Sequence, residues 1–396
     1  MDLKNKISDL AEKYFNKVIE IRRHLHKHPE LSFEESETAK YIISLLNKWG
    51  VRFESGIADN GIAAYIEGKN PQKRTIALRA DMDALPVSEE NVVPYKSINN
   101  GIMHACGHDA HTASLLGTLL ILKELTDNFE GTIKFIFQPA EEKLPGGAKK
   151  MIEEGVLENP IPEFIIGQHV YPELPSGKLG FKKGMYMAST DELFLTVIGK
   201  GGHAAMPDKI TNTVLIASQI IVALQKIPQE IAPKEIPTVL TIGKVIANGA
   251  TNVVPDEVSM EGTFRTMDET NRKNIHLEIE KVAQKIAESQ GARIEINIKN
   301  GYPVLFNNKD TTVKSIKYAK EYLGEENVVD LDYRMTGEDF AYYSQKIPAT
   351  FYRLGTSYED KYKNPLHSPT FNIHEESLKI GMGTMAYISI CFLKNQ

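Results

Sequence analysis

An α/β fold on a mainly parallel sheet, interrupted by an inserted ferredoxin-like βαββαβ unit, follows from three features of the sequence. Strand and helix patterns alternate through the first half, the order changes between residues 187 and 302, and mixed helices and strands resume from 303 to 396. A discontinuous domain of residues 1–186 and 303–396 is therefore expected, with a second domain, 187–302, set into it. The 396 residues suffice for two domains, and 42% hydrophobic with 25% charged residues is a globular composition.

The elements follow in order. Ile7, Leu10, Tyr14, Val18, Ile21 and Leu25 recur at helical spacing, and Pro29 closes that segment. Ser32 and Glu35 have the spacing of a capping box before a second helix, which runs to Trp49 with Gly50 as its stop. GIAAYIEG and TIALRADMD are short, apolar and bounded by turn residues, as strands are. Beyond the loop around GIMHACGHD come helix TASLLGTLLILKEL, strand GTIKFIFQPAEE, helix GGAKKMIEEG and strand EFIIGQHV. The clusters ADMD, QPAEE and GQHV fall at or just past the C-terminal ends of their strands, the edge where open α/β sheets bind ligands. The insert then reads strand LFLTVIGK, helix TNTVLIASQIIVALQKI, strands TVLTIGKVIA and EVSMEGTFRTM, helix NRKNIHLEIEKVAQKIAES and strand RIEINIKN.

A formal net charge of -6 without a long run of one sign offers no surface for nucleic acid or anionic lipid, so small molecules are the expected partners. The start MDLKNKISDL is too charged for a secretory signal, and no apolar stretch is long enough to span a bilayer; a cytoplasmic location is expected. Cys106 and Cys391 alone give no disulfide framework, and Cys391 lies in the apolar run AYISICFL as a small buried hydrophobe.

The densest chemical signal is MHACGHDAH, where Cys106 and His108 flank a glycine; thiolate and imidazole both suit zinc and related metals. Glu141-Glu142, His169 and His367 follow in loops or strand ends that the alternation brings to one sheet edge. Adjacent glutamates divide the work there: one carboxylate coordinates while its neighbour moves a proton. His24, His26 and His28 are not expected to be ligands, because Arg22, Arg23 and Lys27 share their helix and oppose a cation. Structural or supporting roles are expected for His104 and His111 and for Gly337, Glu338 and Asp339, while Asp81 and Asp83 either orient ligands or simply close their strand.

As a set, RRHLHKHPELSFEE, RADMDALP, HACGHDAHTA, QPAEE, GGAKKMIEEGVL, GQHV, GKGGHAAMPD, TNVVPD, TGEDFAYY and PLHSPTF span nearly the whole chain. They resemble the aminoacylase and carboxypeptidase family of dinuclear metallopeptidases, in the amidohydrolase branch with hippurate hydrolase and the auxin-conjugate hydrolases. The resemblance implies an enzyme that cleaves the amide bond of N-acyl amino acids. It implies two divalent metal ions per subunit, zinc first, with manganese, cobalt or nickel as alternatives, held by Cys106, His108, Glu142, His169 and His367. It makes Glu141 the general base, His203 the oxyanion stabiliser, and Asn252 and Arg265 the receptors of the substrate carboxylate, with the insert pairing two subunits into a homodimer. Many such relatives carry a metal-binding histidine on the strand where this chain has Arg79 before Asp81. A dipeptidase or carboxypeptidase, or an N-acetyl-diaminopimelate deacetylase, would use the same machinery. An inactive ligand-binding homologue is the rival from another class, and the presence of every implied ligand together with Glu141 argues against it.

Overall fold

A computed structural model describes residues 2–394. They form two compact units: one runs through Gly184 and takes in Phe306–Asp332 and the chain from Asp339 onward, and the other is Met185–Leu305 with Tyr333–Glu338. The first unit opens with helices α1 (Leu3–Lys27) and α2 (Ser36–Lys48) and strands β1 (Arg52–Ile57), β2 (Gly61–Glu67) and β3 (Thr75–Asp81). Helix α3 (His108–Glu124), β4 (Thr132–Gln138), α4 (Gly147–Glu153), β5 (Ile165–Pro175) and β6 (Leu179–Phe181) follow. The second unit supplies β7 (Asp191–Ile198), α5 (Thr213–Leu224), β8 (Thr238–Ile246), β9 (Glu257–Thr266), α6 (Glu269–Ser289) and β10 (Arg293–Asn300). The chain returns to the first unit with α7 (Lys309–Leu323), β11 (Val328–Asp330), β12 (Ala349–Ser357) and α8 (Glu376–Lys394).

Among the described residues the first unit's sheet runs β1-β2-β4-β3-β5-β12-β6-β11. Its centre, β4-β3-β5-β12, is parallel, while β1, β2 and β6 join antiparallel. Helix α3 is buried from His108 through Leu122 and packs against β3 on one side and α1 and α8 on the other. A helix that is apolar all round is stable only when covered on both sides. Leu116, Leu119 and Ile121 are fully buried there, and truncating a leucine of this kind costs about 2–5 kcal/mol. The helix starts at His108 rather than at Thr112, so a candidate ligand sits on its first turn.

The second unit's sheet runs β8-β9-β7-β10, antiparallel throughout, which is the ferredoxin-like order. Along β7 the buried Leu193, Leu195 and Val197 alternate with partly exposed Phe194, Thr196 and Ile198, and they meet Ile216 and Ile220 of α5 and Ile275 and Ile279 of α6. No helix of the described residues is long and apolar enough to cross a membrane.

One local expectation is overturned. Ser32 and Glu35 do not form a capping box: neither side chain caps α2, and the Glu30 carboxylate accepts the Glu37 and Thr38 N–H groups at 3.2 and 2.8 Å instead. Both Ser32 and Glu35 are buried and turned to other partners. Gly50, at φ 61, does end α2.

Candidate metal centre

Cys106 and His108 are separated by Gly107, which caps α3 at φ 83. A Cβ at Gly107 would lie 2.6 Å from Val170 Cγ2, so only glycine lets the turn close against the strand carrying His169. Cys106 Sγ stands 3.5 Å from His169 Nε2, and the other ring nitrogen, Nδ1, is tied to the Val170 carbonyl at 2.7 Å. His108 is tied in the same way: Nδ1 bonds Asp83 Oδ1 at 3.0 Å, leaving Nε2 3.9 Å from Glu142 Oε1. His108 Nε2 and Glu142 Oε1 are buried and make no hydrogen bond. His367, in the loop after β12, adopts φ 65; its N–H donates to the Ala105 carbonyl at 2.8 Å, and its Nε2 lies 3.3 Å from the same Glu142 oxygen. Among the described residues five overlapping donor sets result, each within 4.8 Å: Cys106, His108 and His169; Cys106, Glu142 and His367; His108, Glu141 and Glu142; Asp81, His108 and His111; and Glu141, Glu338 and Asp339, the last of which brings in two residues expected only to shape a loop.

The pocket is strongly electronegative. Burial opposes charge on His108, but Asp81, Asp83 and Glu142 outweigh it and hold the imidazole up at about 10. Burial, with Glu142, Glu141 and Asp81 nearby, pushes the Cys106 thiol well up. Burial and then Arg353 push His169 well down. Imidazoles with one nitrogen tied to an acceptor and the other aimed inward, beside a thiol and a carboxylate, fit divalent metal ions. His111 is different, because its Nδ1 bonds Asp81 at 2.6 Å while its Nε2 accepts the Val170 N–H at 2.8 Å. Both of its nitrogens are used.

Of the two aspartates left open in the sequence, each orients a histidine: Asp83 holds His108 and Asp81 holds His111. The strand residue nearest the donors is Asp81, whose Oδ2 is 3.8 Å from His108 Nε2; Arg79 instead donates to Asp81 and Asp339, each at 2.7 Å. Asp339, expected only to shape a loop, accepts from Arg79, Gln138 and the Ala148 N–H, and its own N–H reaches Glu141 Oε1 at 3.3 Å. Nothing in the spacing of TGEDF signals that contact. Glu35, placed by its spacing in a capping box, instead accepts the Ala140 N–H at 2.7 Å; burial and then Asp83 push its carboxyl up to about 7. His26 is fully buried and bonds Asp109 and Glu89 at 2.7 and 3.0 Å, outside the donor sets. His104 is also outside them, and burial pushes it down to about 4.

The remaining candidates lie in the second unit. His203 is exposed on a two-residue strand, Gly202–His203, paired with Val253–Val254, and its Nδ1 accepts the Ala205 N–H at 3.1 Å. The neighbouring Asn252 carbonyl accepts the Ala204 N–H at 2.9 Å, so these two residues are together. Arg265 is half-buried on β9 opposite Val239, in the other sheet of that unit.

A sheet edge carrying thiol, imidazole and paired-glutamate donors fits a metal-dependent enzyme, and the family whose pattern the chain matches is one of hydrolases of amide bonds. The pattern of Peptidase family M20/M25/M40 matches residues 77–389, and the chain belongs to that family. It is 41% identical over 304 residues to an N-acyl-L-amino acid amidohydrolase of Geobacillus stearothermophilus, covering 77% of this chain and 81% of that protein. It is 37% identical to thermostable carboxypeptidase 2 of Saccharolobus solfataricus, covering 99% of each. A dinuclear metal-binding peptidase of family M20 from Bacillus subtilis superposes with a TM-score of 0.85 at 35% identity, covering 97% of this chain and 100% of that one.

Proposed function

We propose that this hydrolase removes the acyl group from N-acyl amino acids, releasing a carboxylic acid and a free amino acid. Two divalent ions would be held by Cys106, His108, Glu142, His169 and His367, with zinc favoured by a thiol and three imidazoles and manganese, cobalt or nickel as alternatives. The observation that carries this reading is the convergence of two buried atoms without hydrogen bonds, His108 Nε2 and Glu142 Oε1, on the space beside Cys106 and His169. When bound, such ions lower the pKa of a water and polarise the scissile carbonyl. Glu141 takes the proton of the attacking water and returns it to the leaving nitrogen. The Asp339 N–H at 3.3 Å steadies that carboxylate for both transfers. His203 donates to the oxyanion that develops on the substrate, and Asn252 and Arg265 receive the substrate's carboxylate.

The working form in this reading is a cytoplasmic homodimer joined through the second unit, with His203 of each copy serving the other copy's centre. Edge strand β8 supports it by exposing Val239, Val245 and Ile246, and α5 adds Val214, Leu215 and Val222, apolar surface suited to a two-fold contact. Peptide cleavage is the second reading, favoured by the full-length similarity to a carboxypeptidase. Metal analysis of the purified protein with a panel of acetyl- and benzoyl-amino acids, N-acetyl-diaminopimelate and dipeptides separates the two. The N-acyl amino acids are expected to give the higher kcat/KM; faster cleavage of dipeptides would replace this reading with the second.

A further inference from the structure

The turn that carries Glu141 and Glu142 is held in place by a loop that supplies no metal donor. Ala140, just before the pair, adopts φ 52, a left-handed conformation that a residue with a Cβ avoids unless its surroundings impose it. Its carbonyl accepts the Gly147 N–H at 2.8 Å, and its N–H donates to Glu35 Oε1 at 2.7 Å. The second Glu35 oxygen accepts from Asn60 Nδ2 at 3.2 Å, which fixes the carboxylate's orientation. Three residues earlier, Ser32 Oγ donates to Asp83 Oδ2 at 2.7 Å. That same oxygen accepts the Glu142 N–H at 2.9 Å, and the other Asp83 oxygen holds His108. Ser32 and Glu35 come from one short loop between α1 and α2, and Glu30 has relieved both of any capping duty.

We propose that Glu35 and Ser32 are positioning residues that lock the Ala140–Glu142 turn, so that Glu142 faces the donors and Glu141 faces the attacking water. The proposal rests on the functional reading above for what the turn does, but not for whether the turn is held. Removing Glu35 leaves a buried N–H without an acceptor at a residue already in an unfavourable conformation, and the turn relaxes. Glutamine keeps an oxygen for Ala140 and restores most of the turn, although its amide NH2 then faces Asn60 Nδ2 in place of an acceptor. The effect is expected to be local, because the bonds that Glu35 and Ser32 make run to Ala140, Asn60 and Asp83.

Hydrogen exchange on the metal-free full chain tests the bracing directly. In Glu35→Ala the segment 139–147 is expected to exchange on the order of tenfold faster or more, with α3 and β5 unchanged, and Glu35→Gln is expected to return most of the protection. Zinc affinity, measured by competition with a chromogenic chelator, is expected to weaken on the order of 10- to 100-fold in Glu35→Ala, with kcat falling and KM nearly constant. Ser32→Ala is expected to show the same pattern more weakly. If Glu35→Ala does not fold, Glu35→Asp, one methylene too short to reach Ala140, takes its place. Unchanged exchange at 139–147 in a folded variant, or Glu35→Gln as damaging as alanine, overturns the bracing. A wild-type chain that binds none of zinc, manganese, cobalt or nickel overturns the functional reading instead, and exchange still decides the bracing.

Discussion

In the first unit the three aspartates behind the donors are each held by other residues. Asp83 is bonded by Ser32 and the Glu142 N–H, Asp81 by Arg79 and His111, and Asp339 by Arg79, Gln138 and Ala148. His203 in the second unit is exposed, and the hydrogen bond recorded for its ring comes from a residue two positions along the same loop. Arg265 is half-buried on a strand. The contrast has a physical origin. Several electron-rich donors aimed at one point repel each other, so a metal centre needs a rigid frame before the ion arrives.

The sharpest break in that comparison is expected inside the first unit, between neighbours. Glu141→Gln should cut kcat on the order of 10²- to 10⁴-fold while metal content stays normal, since an amide fills the space but accepts no proton. Cys106→Ala and Glu142→Ala should lose metal together with activity. Turnover near wild type in the glutamine variant removes Glu141 as base, and full metal occupancy in both alanine variants removes them from the donor set.

A smaller loss is expected from the second unit. His203→Ala should lower kcat on the order of 10²- to 10³-fold with metal content untouched. Mixed with the Glu141→Gln chain it should recover roughly a quarter of wild-type activity per site, because about half of randomly paired dimers are mixed and each carries one intact site. An absence of recovery after verified subunit exchange places His203 in its own copy's chemistry or outside it. The smallest effect is expected at Arg265. Arg265→Ala should raise KM and erase a preference for free acids over their amides of about 1–3 kcal/mol; an unchanged acid-to-amide ratio excludes Arg265 from substrate binding.

Much of the donor set was legible in the sequence because its chemistry is local and distinctive. Cys106 and His108 share one glycine turn, and two adjacent glutamates follow a β-strand. The residues that hold those donors in place were not legible. Ser32 and Glu35 have a capping spacing that fits the helix after them equally well, and only the fold shows that Glu30 does the capping. Asp339 reaches Glu141 across 198 residues of chain, a distance over which spacing carries no information.

The sequence by itself determined the alternation that builds the parallel sheet, the ferredoxin-like insert and the residue types, thiol, imidazole and paired carboxylate, that gather at one sheet edge. Each of these depends on periodicity within a segment or on residue chemistry, which do not need a partner to be read. Tertiary structure alone decided which nitrogen of each histidine faces inward, which aspartate orients which imidazole, and how the Glu141–Glu142 turn is held. Those depend on hydrogen bonds between segments far apart in the chain, whose geometry exists only once β3, β4, β5 and α3 have packed.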